Sequence, residues 1–178
     1  LKKEAPDISQ KNPAFEQEEA EFEEYVVRIS RCSKVVKGGR RMSFGAVVVV
    51  GDHQGHIGYG LGKANEVASA IRKAAELAKK SVFMVKISQN TIPHEIYGKF
   101  AGARVILKPA APGTGIIAGG GMRAILHLSG IHNILGKSLG SNNKLNVIHA
   151  TISALNQLRT LEEANEMRGI SSSTEVSA

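Results

Sequence analysis

From Tyr25 to Leu61 the apolar residues recur with the period of two that marks β-strands, and from Asn65 to Lys80 they change to helical spacing. Tyr25–Val36 reads as a strand, with Tyr25, Val27 and Ile29 alternating with Val26, Arg28 and Ser30. Lys37-Gly38-Gly39-Arg40 is a turn signal. Phe44–Val50 is a second strand, whose four successive valines predict burial on both faces or a central position. Gly51-Asp52-His53-Gln54-Gly55 turns the chain into a third strand, His56–Leu61, with Ile57, Tyr59 and Leu61 on one face and glycines on the other. A helix is predicted over Asn65–Lys80, with Asn65 as N-cap, Glu66 in the first turn and Lys79 and Lys80 at the C-terminal end. Its apolar face is Val67, Ala70, Ile71, Ala74, Leu77 and Ala78. A hairpin-rich sheet covered by one helix makes a small α+β unit.

Phe83–Gln89 reads as a connecting strand or linker, and a second unit begins near Thr91. Its expected strands are Thr91–Tyr97, Arg104–Lys108 and Asn133–Leu139, and its expected helices are Gly120–Leu128 and Asn146–Arg159. Asn146 is the expected cap of the last helix, in which Val147, Thr151, Leu155 and Leu158 recur at helical spacing. Glycines crowd the segment between Gly98 and Gly140, which suits tight turns and close backbone approach. Leu1–Glu19 carries two prolines and an acidic run without a clear period, and reads as a mobile tail. A short helix over Glu16–Glu24, anchored by Phe15 and Phe22, is the alternative. The Ser-rich stretch Gly169–Ala178 reads as disordered. The expected organisation is an acidic flexible tail over 1–21, a first domain over 22–90, a second over 91–160 and a C-terminal tail over 161–178.

Charge changes this picture from a fold to a function class. Tyr25–Leu161 holds nineteen Lys or Arg against four Asp or Glu, a local balance of +15, whereas Leu1–Glu24 sums to −5 and Glu162–Ala178 to −3. Tyr25–Gly51 has six basic residues and no acid, and Ile96–Leu161 has seven and no acid. Solubility is served by mixed charge, so a field of one sign over the whole folded region points to a polyanion. The lone Cys32 excludes a disulfide framework and fits a reducing compartment. No apolar run reaches the length of a membrane span, and the acidic opening lacks the pattern of a secretory signal.

Enzymatic motifs fail on spacing. Gly136-Lys137-Ser138 ends like a phosphate-binding P-loop, but Ile131 stands where the first Gly is required and Gly130 is one position early. Gly62-Lys63 is followed by Ala64 and preceded by Ile57 at the Gly position. Gly113-Thr114-Gly115-Ile116-Ile117-Ala118-Gly119 has one residue too many for a dinucleotide fingerprint, and no acid follows for more than forty positions. Gly119-Gly120-Gly121 directly precedes a predicted helix, whose free N–H groups suit an RNA phosphate; tight packing or a partner contact is the equal alternative. The six histidines, His53, His56, His94, His127, His132 and His149, show no zinc spacing in the sequence. The interior acids Asp52, Glu66, Glu76 and Glu95 form no nucleophile–base set. No catalysis, cofactor or metal is expected.

The basic residues read more directly. Arg28, Arg31, Ser33, Lys34, Lys37, Arg40 and Arg41 surround a turn that Gly38 and Gly39 keep slim enough to enter a groove. Lys63, Arg72, Lys73, Lys79 and Lys80 make the first helix and its approach basic. His53 and His56 flank a hairpin turn, where they meet either a phosphate or solvent. The competing account is a solvated hairpin tip. A basic loop and a basic helix on one unit suit two places along an RNA duplex. With Phe44 and Tyr59 assigned to the core, few aromatics remain for stacking-led single-strand binding.

The stretches YVVRISRCSKVVKGGRRMSF and VVVVGDHQGHIGYGLGK, followed by EVASAIRKA, resemble the first half of the bacterial small-subunit ribosomal protein five family. TIPHE, GARVILKPA, GTGIIAGGGMRAIL and GIHNILGKSLGSNN extend the resemblance over about Phe22–Leu158. It implies an α+β chain: a double-stranded-RNA-binding-like domain of three strands and a helix, then a small two-layer α/β domain of the type named after that family. It also implies a non-catalytic, cytoplasmic component of the small subunit, acting in assembly and decoding accuracy. The loop Lys34–Arg41 would enter small-subunit ribosomal RNA, with Cys32, Ser33 and Lys34 bordering the spectinomycin neighbourhood. Arg104, Gly113, Gly115, Gly119, Gly120 and Arg123 would form a protein interface, with Gly115 and Arg123 in the region where small-subunit protein four influences accuracy. Protein eight and messenger RNA near its path into the subunit are further implied partners, and an obligate homo-oligomer is not expected. The alternative is a free-standing double-stranded-RNA-binding regulator or chaperone.

Overall fold

The computed structural model describes residues 22–169. The expected acidic tail over 1–21, the Phe15 anchor and nearly all of the Ser-rich end lie outside these residues. The first sheet has the order β1–β2–β3–β4, all antiparallel: β1 Glu23–Val36, β2 Gly39–Gly51, β3 His56–Ala64 and the two-residue β4 Phe83–Met84. The expected three strands are thus joined by a short fourth at the edge. The strand also claims Glu23 and Glu24, which removes those residues from the alternative helix.

The four valines of β2 lie in the middle of this sheet and are buried on both faces. Ala46, Val48 and Val50 pack into one core with helix α1 (Val67–Lys80), while Val47 and Val49 join a second core built mainly from the other half of the chain. On β3, Gly58, Gly60 and Gly62 face α1. A Cβ on any of them would overlap the carbonyl oxygen of Ala78, Ala74 or Ala70 respectively. Glycine on the strand and alanine on the helix bring the two backbones together, and that seam selects the helix face. Ala70, Ala74, Ala75 and Ala78 are therefore the buried residues of α1, whereas Leu77, expected on that face, is 48% exposed. The helix starts one residue later than expected, with Glu66 rather than Asn65 as N-cap and without a side-chain cap bond. In β1 the simple alternation fails. A bulge between Val26 and Arg28 leaves Val27 packed on the core, while Tyr25 and Ile29 are exposed.

The second sheet runs β5–β6–β8–β7: β5 Ile96–Phe100, β6 Ala103–Pro109, β7 Ile116–Ile117 and β8 Ile134–Gly140. β5 begins later than expected: Ser88 and Thr91 form an isolated bridge, and Pro93 interrupts the segment before Ile96. β7, not foreseen, pairs parallel to β8. Helices α2 (Gly120–Leu128) and α3 (Lys144–Asn156) cover one face of this sheet. The N-cap of α3 is Asn143, whose side chain accepts from the Leu145 N–H, rather than Asn146. Val147, Thr151, Leu155 and Leu158 are all buried as their spacing required. Beyond α3 the expected tail forms a two-turn helix, α4 (Leu161–Met167), started by a Thr160–Glu163 capping box. Glu163 also accepts from Lys86 at 2.7 Å, tying α4 back to the linker between the units.

The two units share a core. Helix α2 packs against β1 and β2, and Val47, Val49, Ile57 and Val85 sit in one apolar cluster with Ile92, Met122, Ile125, Leu128 and Ile148. His149 fills the seam between Tyr59 of the first sheet, edge-on at 4.8 Å, and Phe100 of the second, stacked at 4.4 Å. Burial holds the His149 imidazole below its ordinary value.

Candidate nucleic-acid interface

β1 and β2 outrun the rest of their sheet. β3 pairs with β2 only from Phe44 to Gly51, so five residue pairs, from Cys32↔Ser43 to Val36↔Gly39, continue as a two-stranded ribbon. At 3.4 Å per residue the ribbon projects about 17 Å. The loop expected over Lys34–Arg41 is therefore regular hairpin, closed by Lys37-Gly38 alone. Gly38, at φ 93, supplies the left-handed residue that this tight reversal requires.

The register assigns the basic side chains to faces. Lys34 lies opposite Arg41 on one face, with Cys32 and Ser43 below them; Arg40 and Arg31 lie on the other, with Ser33, Val35 and Met42. Both faces thus carry positive charge, and Lys37 adds a charge at the tip. Like charges directly opposite on a ladder repel, and the sequence supplies no carboxylate from Tyr25 to Gly51 to relieve them. Val35 is 74% exposed on the same ribbon. A slim, doubly basic ribbon of this kind is relieved of its own repulsion wherever an anion neutralises it.

Arg28 is exposed beside the β1 bulge, and Lys63 is exposed on β3 opposite Gly45, near the ribbon base. Arg72 and Lys73 are exposed on α1. Arg72 adjoins a cleft of about 570 Å³ that also contains Glu24 and Glu76, and Lys79 is paired with Glu24 at 3.0 Å, so this part of the basic helix is partly neutralised.

His53 and His56 do not join this site. They follow the far end of β2, roughly 40 Å from the ribbon tip at 3.4 Å per residue. His56 Nδ1 meets Asp52 Oδ2 at 2.6 Å, and His53 meets Glu23 and the His127 carbonyl. Burial alone would raise the Asp52 carboxyl; bonds from the Gln54 and His56 backbone N–H groups and the His56 ring outweigh it and hold the group below its ordinary value.

The second unit gathers most of the residues assigned to a protein interface. Gly113 and Gly115, at φ 90 and 74, lie in the loop before β7, and Asn133 Oδ1 accepts from both of their N–H groups at 3.0 and 3.2 Å. No atom lies near where a Cβ would stand on either glycine, so backbone conformation rather than crowding requires them. Gly119 and Gly120 are exposed at the start of α2, and Arg123 Nη2 donates to the Ile116 carbonyl at 3.2 Å, closing this loop onto the helix. Arg104 is separate, at the opposite end of β6 from the glycine loop. It belongs to the uncovered face of the second sheet, which register and exposure assign to Tyr97, Lys99, Arg104, Lys108, Lys137 and Leu139. Apart from Arg104, the sequence reading missed this face. Its strands do alternate basic or aromatic residues with core positions, which is the signal that would have found it.

These features define a two-domain, RNA-binding protein with a protruding basic hairpin. A family model described as the N-terminal domain of ribosomal protein S5 matches residues 22–86, and one described as its C-terminal domain matches residues 98–168. The chain belongs to the ribosomal protein S5 family, the structural, non-catalytic, RNA-binding components of the small ribosomal subunit.

Proposed function

We propose that the β1–β2 ribbon is the main hold on small-subunit ribosomal RNA, with Arg31, Lys34, Lys37, Arg40 and Arg41 neutralising phosphates on both walls of a groove. The observation that carries this assignment is the register, which displays basic residues on both ribbon faces while the surrounding sequence offers no acid. Arg28, Lys63, Arg72 and Lys73 extend the contact toward α1, whereas His53 and His56 serve the fold. The glycine loop with Arg123 forms the boundary with small-subunit protein four, and Arg104 with the open sheet face meets protein eight or further RNA. The location is the cytoplasmic small subunit, beside the incoming messenger. Domain limits near 22–90 and 91–160 fit the two sheets, with α4 as a strap over the junction.

Sucrose-gradient sedimentation of a lysate carrying the tagged chain tests the assembly. One copy per small subunit, retained at high salt, is expected. A position at the top of the gradient in low and high salt would overturn it and favour a free-standing RNA-binding module.

A further inference from the structure

Three elements far apart in sequence bring a carboxylate and two imidazoles together at the seam of the two units. Glu23 opens β1, His53 lies in the β2–β3 turn and His127 is in the last turn of α2; one ligand atom from each lies within 4.8 Å of the others. The His53 backbone is clamped in place. Its N–H donates to the Leu128 carbonyl at 3.0 Å, and Gly130 packs directly against its own carbonyl.

The His53 ring is held at both nitrogens. Nδ1 lies 3.0 Å from the His127 carbonyl oxygen and Nε2 lies 2.7 Å from Glu23 Oε2. Both partners are acceptors, and a neutral imidazole has one N–H. With the proton on Nδ1, donated to the carbonyl, the Nε2 lone pair faces a carboxylate oxygen at 2.7 Å, and a metal ion can take up both once the side chains open by a few tenths of an ångström. An imidazole fixed by an Nδ1–H bond to a backbone carbonyl is the usual posture of a metal-bound histidine. The His127 ring stands edge-on to it, with centroids 5.2 Å apart and planes at 88°.

We propose that Glu23, His53 and His127 bind a divalent transition-metal ion of the zinc type. Two imidazoles and one carboxylate suit Zn²⁺ rather than Mg²⁺ or Ca²⁺, which take oxygen sets. All three side chains are exposed, so small rotamer changes bring them to bonding distance and leave a fourth position for water. The ion clasps the start of β1 and the β2–β3 turn to the end of α2. It would stiffen the junction on which both halves of the molecule depend.

The test is zinc titration of the EDTA-dialysed full chain, read by calorimetry, metal content and thermal melting. One zinc per chain and a rise in Tm of about 3 °C or more, reversed by EDTA and not produced by Mg²⁺, are expected. Cobalt should give the visible bands of a four-coordinate site. His53→Asn, which tolerates the left-handed backbone of position 53 (φ 60), and His127→Gln should each weaken zinc binding at least about tenfold, while His132→Gln leaves it intact. Zinc affinity unchanged in the His53→Asn/His127→Gln double variant would overturn the proposal. So would a wild-type chain that binds no zinc, which would leave the His53–Glu23 contact a plain hydrogen bond.

Discussion

Gly60 shows how one missing side chain sets a packing distance. Its Cβ would enter the Ala74 carbonyl of α1, so Gly60→Ala must push the helix off the sheet. A loss of about 2–3 kcal/mol in urea unfolding is expected. Asp52 offers a second test. Its folded value lies below the unfolded 3.8, so its contribution is full above that pH and fades as pH falls through the folded value. Asp52→Asn should cost about 1 kcal/mol at neutral pH, and the gap to wild type should close below about pH 3.8. At this scale the sequence was legible where a residue type has one strong use. Gly38 was placed at a reversal and the valines of β2 at a doubly buried strand, and both stand there. The caps were misassigned, Asn65 in place of Glu66 and Asn146 in place of Asn143, because Asn is a good cap by type wherever it stands near a helix start. What decides is where the helix can begin once its small residues are docked. For His53 and His56 the sequence left phosphate and solvent open; it could not foresee the partners Glu23, Asp52 and the His127 carbonyl, which turn and tertiary geometry supply.

At the scale of elements, the ribbon and the seam behave differently. The ribbon has no core of its own, so changing its basic residues should leave folding intact. The seam is held by side chains that strand periodicity cannot pair across units. His149 sits there between Tyr59 and Phe100 with its protonated form disfavoured by burial. A histidine with a lowered folded value contributes fully above the unfolded 6.5, and that contribution is lost as pH falls below it. His149→Phe, which keeps the aromatic contact without the charge, should therefore lose less stability than wild type between pH 7 and pH 5 in parallel thermal melts. A wild-type pH dependence retained in full by the variant would remove His149 from that role. The period-two pattern located β1, β2, β3, β6 and β8, but not the bulge in β1. β4 and β7, two residues each, exist only through their neighbours.

Over the whole molecule, sorted charge and shared core explain one another. The sequence already separated a basic body from acidic ends, and that alone pointed to a polyanion. It did not reveal that the two units are one packed body, because the alternate valines of β2 look the same whether their second face meets a domain or a partner. The structure joins them: β2 packs on α2, whose first turn holds Arg123 bonded to Ile116 beside the glycine loop. Phosphate neutralisation by the ribbon charges has a characteristic signature in the salt dependence of binding. Binding of a small-subunit ribosomal RNA fragment should be measured across salt for wild type and for the Lys37→Ala/Arg40→Ala/Arg41→Ala variant. The variant should keep its Tm, bind more weakly, and show a slope of log affinity against log salt shallower by about 2–3. A slope equal to that of wild type would contradict phosphate neutralisation by the ribbon.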